Sequence, residues 1–229
     1  MLSQLNAAAR GVVLLSALLW LMLLTVVVLG VGRLLRNEQR IGSNLDDAQL
    51  AFRLAETALQ EGEAALPSLP QLAGLGAMPA VELRGPTSPF TLTCRQPRNP
   101  PPWQQGLCLS AALAGQAYPV PWQQRDASGL ALLHPCGAAR RVPLQPVSSG
   151  NYCPGVAPGP WYWADPHYLI ELLDPRYPTP DGSGLLFRVS ARGWGRQAGS
   201  VATLQSHVLL RPEGSQGRQW QRLSWRLLP

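Results

Sequence analysis

The sequence predicts an α+β chain in which one long amino-terminal helix packs on an antiparallel β-sheet. An uncharged apolar run from Gly11 to Gly32 continues without a breaker into an amphipathic segment that ends at Pro67. Beyond Pro67 the apolar period drops from helical spacing toward two, in short runs separated by proline and glycine. The 23 prolines and all but one of the eight tryptophans lie in this second part, which predicts a loop-rich domain with aromatic rings closing a small core.

The run Gly11 to Gly32 holds 22 residues, and as a helix it spans about 33 Å, enough for the hydrocarbon core of a bilayer. It is longer than the core of a secretory signal and lacks an A-x-A exit, which argues against ordinary signal removal. From Arg33 to Leu66 the apolar residues Ile41, Leu45, Ala48, Phe52, Ala55, Leu59 and Leu66 recur at helical spacing. Asp46, Asp47, Arg53, Glu56, Gln60 and Glu63 take mostly other faces. A continuous helix from Gly11 to Leu66 is about 84 Å long, stopped by Pro67 and Pro70. Only its carboxyl half has a domain of its own chain to pack on. Gly30, Gly32 and Gly42 are expected weak points, each costing about 1 kcal/mol against alanine.

The remaining 160 or so residues suffice for one modest domain. Strand candidates are Phe90 to Cys94, Leu107 to Ala111, Tyr168 to Leu173, Leu185 to Arg192, Val201 to Leu210 and Arg222 to Leu227. Leu186, Arg188, Ser190 and Arg192 should face one side of their strand, with Phe187, Val189 and Ala191 on the other. Turns are expected at Asp181 to Gly184 and at Arg196 to Ser200.

Four cysteines, Cys94, Cys108, Cys136 and Cys153, follow the apolar run without C-x-x-C or zinc spacing. They read as two disulfides in an oxidising compartment. Of three possible connectivities, short loops favour Cys94 with Cys108 and Cys136 with Cys153. This outweighs the count of Arg33, Arg36 and Arg40 against Arg10, which alone would turn the carboxyl side to the cytoplasm. The expected arrangement is a single-pass membrane protein whose carboxyl-terminal domain lies in the oxidising compartment.

All 19 basic residues are arginines and the formal charge is +6, with eight arginines between Arg176 and Arg226. Several alternate with apolar residues in strands, and no recognition helix, zinc finger or RNP-like motif accompanies them, so no direct nucleic-acid binding is expected. Enzymatic motifs are missing: His134, His167 and His207 are scattered, with no H-E-x-x-H, G-x-S-x-G or phosphate-cradling loop. Asp165 and His167 form at most half of a hydrolytic site, and Pro166 between them fits a structural turn better. Asp174 and Asp181 lack the oxygen-ligand spacing of an EF-hand. No catalytic residue, cofactor or metal is expected.

Arg10-Gly11-Val12-Val13-Leu14-Leu15 resembles the start of a type IV prepilin, and more narrowly that of PilX-type minor pilins. The strings Glu38 to Leu45, Gln49 to Glu56, Ala58-Leu59 and Gly62-Glu63 resemble the helix pattern of the same family. Further resemblance lies in Gly106-Leu107-Cys108 with Pro121-Trp122, in Pro166 to Glu171, in Phe187 to Gly193 running on to Val201 to Ser206, and in Leu223-Ser224-Trp225-Arg226. The insert from about Leu130 to Trp163 matches no motif of the family.

The resemblance implies a prepilin leader over residues 1–11, a transmembrane and spine helix over 12–66 and a periplasmic pilin domain over 67–229. It further implies cleavage after Gly11 by prepilin peptidase, methylation of Val12, and association with other minor pilins, the major pilin and a tip adhesin in priming pilus assembly. Adhesion and twitching motility are the processes such a filament serves. One departure stands out: type IV pilins usually carry a glutamate where this chain has Ser16, and that carboxylate is thought to neutralise a neighbour's amino group inside an apolar core. Tip-associated subunits share the lack, which suits a subunit with none ahead of it. Two other readings follow from the same anchor: a tip pseudopilin of type II secretion, and a periplasmic binding module on an uncleaved span.

Overall fold

The computed structural model describes residues 2–69, 72–94, 104–115, 123–125, 129–144, 161–180, 182–211 and 219–229. The chain divides into two compact units, Met1–Asp46 and Asp47–Pro229. Helix α1, Leu2–Ala65, belongs to both. It is unbroken through Gly30, Gly32 and Gly42, the expected weak points, so a cost of about 1 kcal/mol at each does not interrupt it. Pro67 then closes the helix as a 3₁₀ turn, Leu66–Ser68.

In the first unit every large apolar residue from Leu14 to Val31 is exposed. The second unit holds the core. Two short helices, α2 (Leu72–Leu75) and α3 (Ala80–Leu83), lead to strands β1 (Leu107–Leu109), β2 (Arg140–Arg141), β3 (His167–Thr179), β4 (Gly182–Trp194), β5 (Val201–Leu210) and β6 (Trp220–Leu228). They form one six-stranded sheet in the order β1-β3-β4-β5-β6, with β2 also on β3.

The sheet is antiparallel from β3 to β6 but mixed overall, since β1 runs parallel to β3 through Leu107 opposite Ile170 and Leu109 opposite Leu172. A parallel pair needs a long crossover, and residues between β1 and β3 supply it. The expected strand at Phe90 to Cys94 is reduced to one bridge, Thr91 with Cys108, because the chain turns back at once: Cys94 donates its N–H to Thr91 O and takes a positive φ of 57°. The β3–β4 turn also differs from expectation. Thr179 already pairs with Gly182, so the connection is Pro180 and Asp181, of which Asp181 lies outside the described residues.

Alternation on β4 is as the sequence predicts. Phe187, Val189 and Ala191 are fully buried against α1, together with Tyr168, Ile170 and Leu172 of β3 and Leu204 of β5. The helix meets them with Ala51, Ala55, Ala58 and Leu59, and the 3₁₀ turn adds Leu66, while Ile41, Leu45 and Ala48 of the expected stripe are exposed. Small residues are needed there because helix and sheet approach closely. A Cβ on Gly62 would stand 2.8 Å from Val189 Cγ1, and one on Gly193 would fall on the helix backbone at Ala51 and Ala55. On the opposite side of the sheet, Leu169, Leu132, Leu133, Ala138 and Ala139 pack with Cys94 and Cys108. The 130–163 insert thus supplies β2 and part of this second cluster.

Candidate assembly surfaces

Residues Gly11 and Val12 lie within α1, and Ser16 stands on its exposed part. This helix is long and apolar enough to cross a membrane, with a mean hydropathy of 2.7 over its most apolar window. No carboxylate occurs in α1 before Glu38. The apolar surface from Leu14 to Val31 therefore has no use within its own unit except to meet lipid or other apolar helices.

Where α1 enters the second unit, two carboxylates that the periodicity places among outward faces are buried instead. Asp47 accepts a short hydrogen bond from the backbone N–H of Arg196 in the β4–β5 loop. Burial alone would raise its carboxyl, but hydrogen bonds from the Ser200 side chain and from the Arg196 and Gln197 backbone, with the Arg196 charge, hold it below the usual range. Gly195 is required beside it, since any Cβ there would collide with Asp47. Glu63, with only 2% of its side chain exposed, takes both arms of Arg222 from β6: Nε donates to Oε1 at 2.9 Å, and Nη2 donates to Oε2. The bond to Glu63 raises the Arg222 pKa.

These links serve the edge strand. β6 has a neighbour, β5, on one side only, and its residues Trp220 to Leu227 are exposed. It is held to α1 by Glu63–Arg222 and by Phe52, whose ring meets Trp225 edge-on at 6.1 Å and 78°. Phe52 and Trp225 come from two strings far apart in sequence, and their contact explains why both are there. Similarly, Glu171 of β3 pairs with Arg188 of β4, and Gln205 of β5 joins Ser190 to Arg226 across three strands. Several of the motif residues are therefore contacts that build the sheet and fasten it to α1. Pro121 and Trp122 lie outside the described residues.

Cys94 and Cys108 form a disulfide with a Cα separation of 4.2 Å. Cys136 is also disulfide-bonded, and Cys153 lies outside the described residues. The weak hydrolytic pair is a structural knot. The Asp165 carboxylate receives Arg141 Nε at 2.6 Å, and its backbone oxygen lies 2.7 Å from His167 Nδ1. The His167 ring, buried and edge-on to Trp194, has its pKa lowered to about 4, chiefly by burial. Asp174 caps its own bulge by accepting the Arg176 N–H. Among the described residues no cluster of three or more His, Cys, Asp or Glu side chains could hold a metal ion.

A sequence profile of the type IV pilus assembly protein PilX, carboxyl-terminal region, matches residues 84–210. The chain belongs to the PilX family. The match covers β1 to β5 and stops before β6, so the strand and the helix that clasp each other lie outside it. No curated protein and no solved structure matches the chain. As a PilX-family chain it is a structural component of type IV pilus assembly, and α1 gives it a single-pass membrane anchor.

Proposed function

We propose that this PilX-family chain is a minor pilin that joins a complex priming type IV pilus assembly and stays at the pilus tip. Prepilin peptidase would cleave after Gly11, and Val12 would become the methylated amino terminus. The domain would stand in the periplasm while Val12 to Gly32 sits in the inner membrane, and other minor pilins, the major pilin and a tip adhesin would be its partners. The function is association rather than catalysis. The observation that carries this reading is the exposed apolar stretch from Leu14 to Val31, on the same helix whose carboxyl part builds the core of the domain.

Within a filament such a surface is covered by other pilin helices, and burying each large apolar side chain contributes about 1.5–3 kcal/mol. Ser16 supports a first-subunit position: it offers no carboxylate for a neighbour ahead, and an unpaired charge in that environment costs several kcal/mol. The test is a clean deletion. It should remove surface pili while leaving the amount of major pilin in the membrane unchanged, and normal piliation would contradict priming.

A further inference from the structure

Three arginines follow the apolar span on one side of α1. Arg33 is the first charged residue after Arg10, and Arg36 and Arg40 come three and seven residues later. At 3.6 residues per turn their directions fall within about 60° of one another. Glu38, the one acidic residue between Met1 and Asp46, points about 140° or more away from each of them. All three arginines are exposed, and no hydrogen bond or ion pair reaches them among the described residues. Leu34, Ile41 and Leu45, also exposed, share a separate face about 80° or more from every one of the arginines. An apolar neighbouring helix would meet that face and leave the arginine stripe uncovered.

The depth of the stripe follows from the span. Gly11 to Gly32, about 33 Å as a helix, fills a hydrocarbon core of about 30 Å, so Arg33 enters the headgroup layer, which is about 5–7 Å thick on each side. Arg36 lies about 4.5 Å further along the axis than Arg33, and Arg40 about 10.5 Å. Helical side chains tilt toward the amino terminus, here toward the bilayer, so Arg40 also reaches back to the phosphates. Orientation does not account for the stripe. The domain that follows it carries a disulfide, the mark of an oxidising compartment, whereas the charge rule for topology gathers arginines on the cytoplasmic side.

We infer that Arg33, Arg36 and Arg40 form a binding stripe for the headgroups of anionic phospholipids, on the side where α1 leaves the bilayer. A guanidinium pairs with phosphate oxygens through two parallel N–H donors, and three cations with no carboxylate on their face favour a lipid of net negative charge over a zwitterionic one. Lipid phosphates lie at the level of the stripe, whereas an acidic protein segment would have to enter the headgroup layer to reach it. Each arginine beside an anionic surface contributes about fivefold in binding, and the three together about a hundredfold. The stripe therefore fixes how deep α1 sits and holds the subunit in the bilayer against extraction. This inference rests on the membrane anchor and goes beyond the priming role, on which it does not depend.

Full-length protein in neutral detergent micelles, mixed with equal amounts of phosphatidylglycerol and phosphatidylcholine, gives the test, with bound lipid counted by native mass spectrometry. Phosphatidylglycerol should be retained about a hundredfold over phosphatidylcholine. Arg36→Gln should lower that preference about fivefold. The triple variant Arg33→Gln, Arg36→Gln, Arg40→Gln should abolish it, while lysine at the same three positions should keep most of it, since the charge remains. Arg53→Gln, exposed on α1 but 20 residues beyond Arg33, should leave it unchanged. Equal retention of the two lipids by the wild type, or an undiminished preference in the triple glutamine variant, would overturn the inference. So would displacement of the lipid by equimolar inorganic phosphate, which would make the stripe a site for free anions. Displacement by a hexaglutamate peptide at lower concentration than by phosphatidylglycerol itself would overturn it too, and assign the stripe to an acidic protein segment.

Discussion

The Glu63–Arg222 pair makes an asymmetric prediction. Glu63 is almost wholly buried, with 2% of its side chain exposed, whereas Arg222 keeps 39%. Glu63→Gln leaves an arginine that can turn into water, so its cost should be close to that of the lost charged hydrogen bonds, about 1.5–3 kcal/mol. Arg222→Met strands a carboxylate that cannot reach water, and breaking a buried pair from that side costs about 3–5 kcal/mol. The double substitution should recover part of the Arg222→Met loss, because no stranded charge remains. Chemical unfolding of the full-length protein in micelles, followed by tryptophan fluorescence, gives the stabilities. Hydrogen exchange should show the damage first in β6, which has one strand neighbour and is tied to α1 by this pair and by Phe52–Trp225. Equal losses from both single substitutions, or a larger loss from Glu63→Gln, would refute the argument that burial sets the asymmetry.

Three further outcomes follow from the fold. Gly193→Ala should cost about 3 kcal/mol or more, since its Cβ falls on the backbone of α1, while Gly42→Ala, with nothing within 4 Å, should gain about 1 kcal/mol of helix propensity; thermal unfolding of both variants compares them. Reducing Cys94–Cys108, which are 14 residues apart, should cost about 3 kcal/mol in a protein carrying Cys136→Ser and Cys153→Ser, measured as a shift of the denaturant midpoint. His167 is held neutral in the folded chain with a pKa of about 4, against 6.5 when unfolded. The unfolded state therefore takes up the proton first as pH falls, and stability is lost between pH 6.5 and 4, by roughly 3 kcal/mol in all. His167→Asn should flatten that slope in a pH series of unfolding curves.

Much of this fold was legible because the sequence patterns match the periods of the structure. Phe187, Val189 and Ala191 alternate with Arg188, Ser190 and Arg192, and the sheet buries one set against the helix as a half-buried strand must. What escaped depends on contacts between distant segments. β2 is two residues long, too short to show any period, and exists because Arg140 and Arg141 meet Tyr168 and His167. The parallel pairing of β1 cannot be read from its own three residues. Asp47 and Glu63 look like solvent-facing helix carboxylates until Arg196 and Arg222 are brought to them from beyond residue 190. The helix face that packs is set by alanine and glycine at Ala51, Ala55, Ala58 and Gly62, residues to which a hydrophobic stripe gives little weight. The motif strings were readable as a family signature, but their reason appears only where Phe52 touches Trp225 and Gln205 joins Ser190 to Arg226.

The most direct test of the pilin account is the intact mass of the protein recovered from membranes with and without an active prepilin peptidase. The account predicts a mature form beginning at N-methylated Val12 only where the peptidase is active. An unprocessed Met1 form in both strains would contradict it and leave a simple membrane-anchored module.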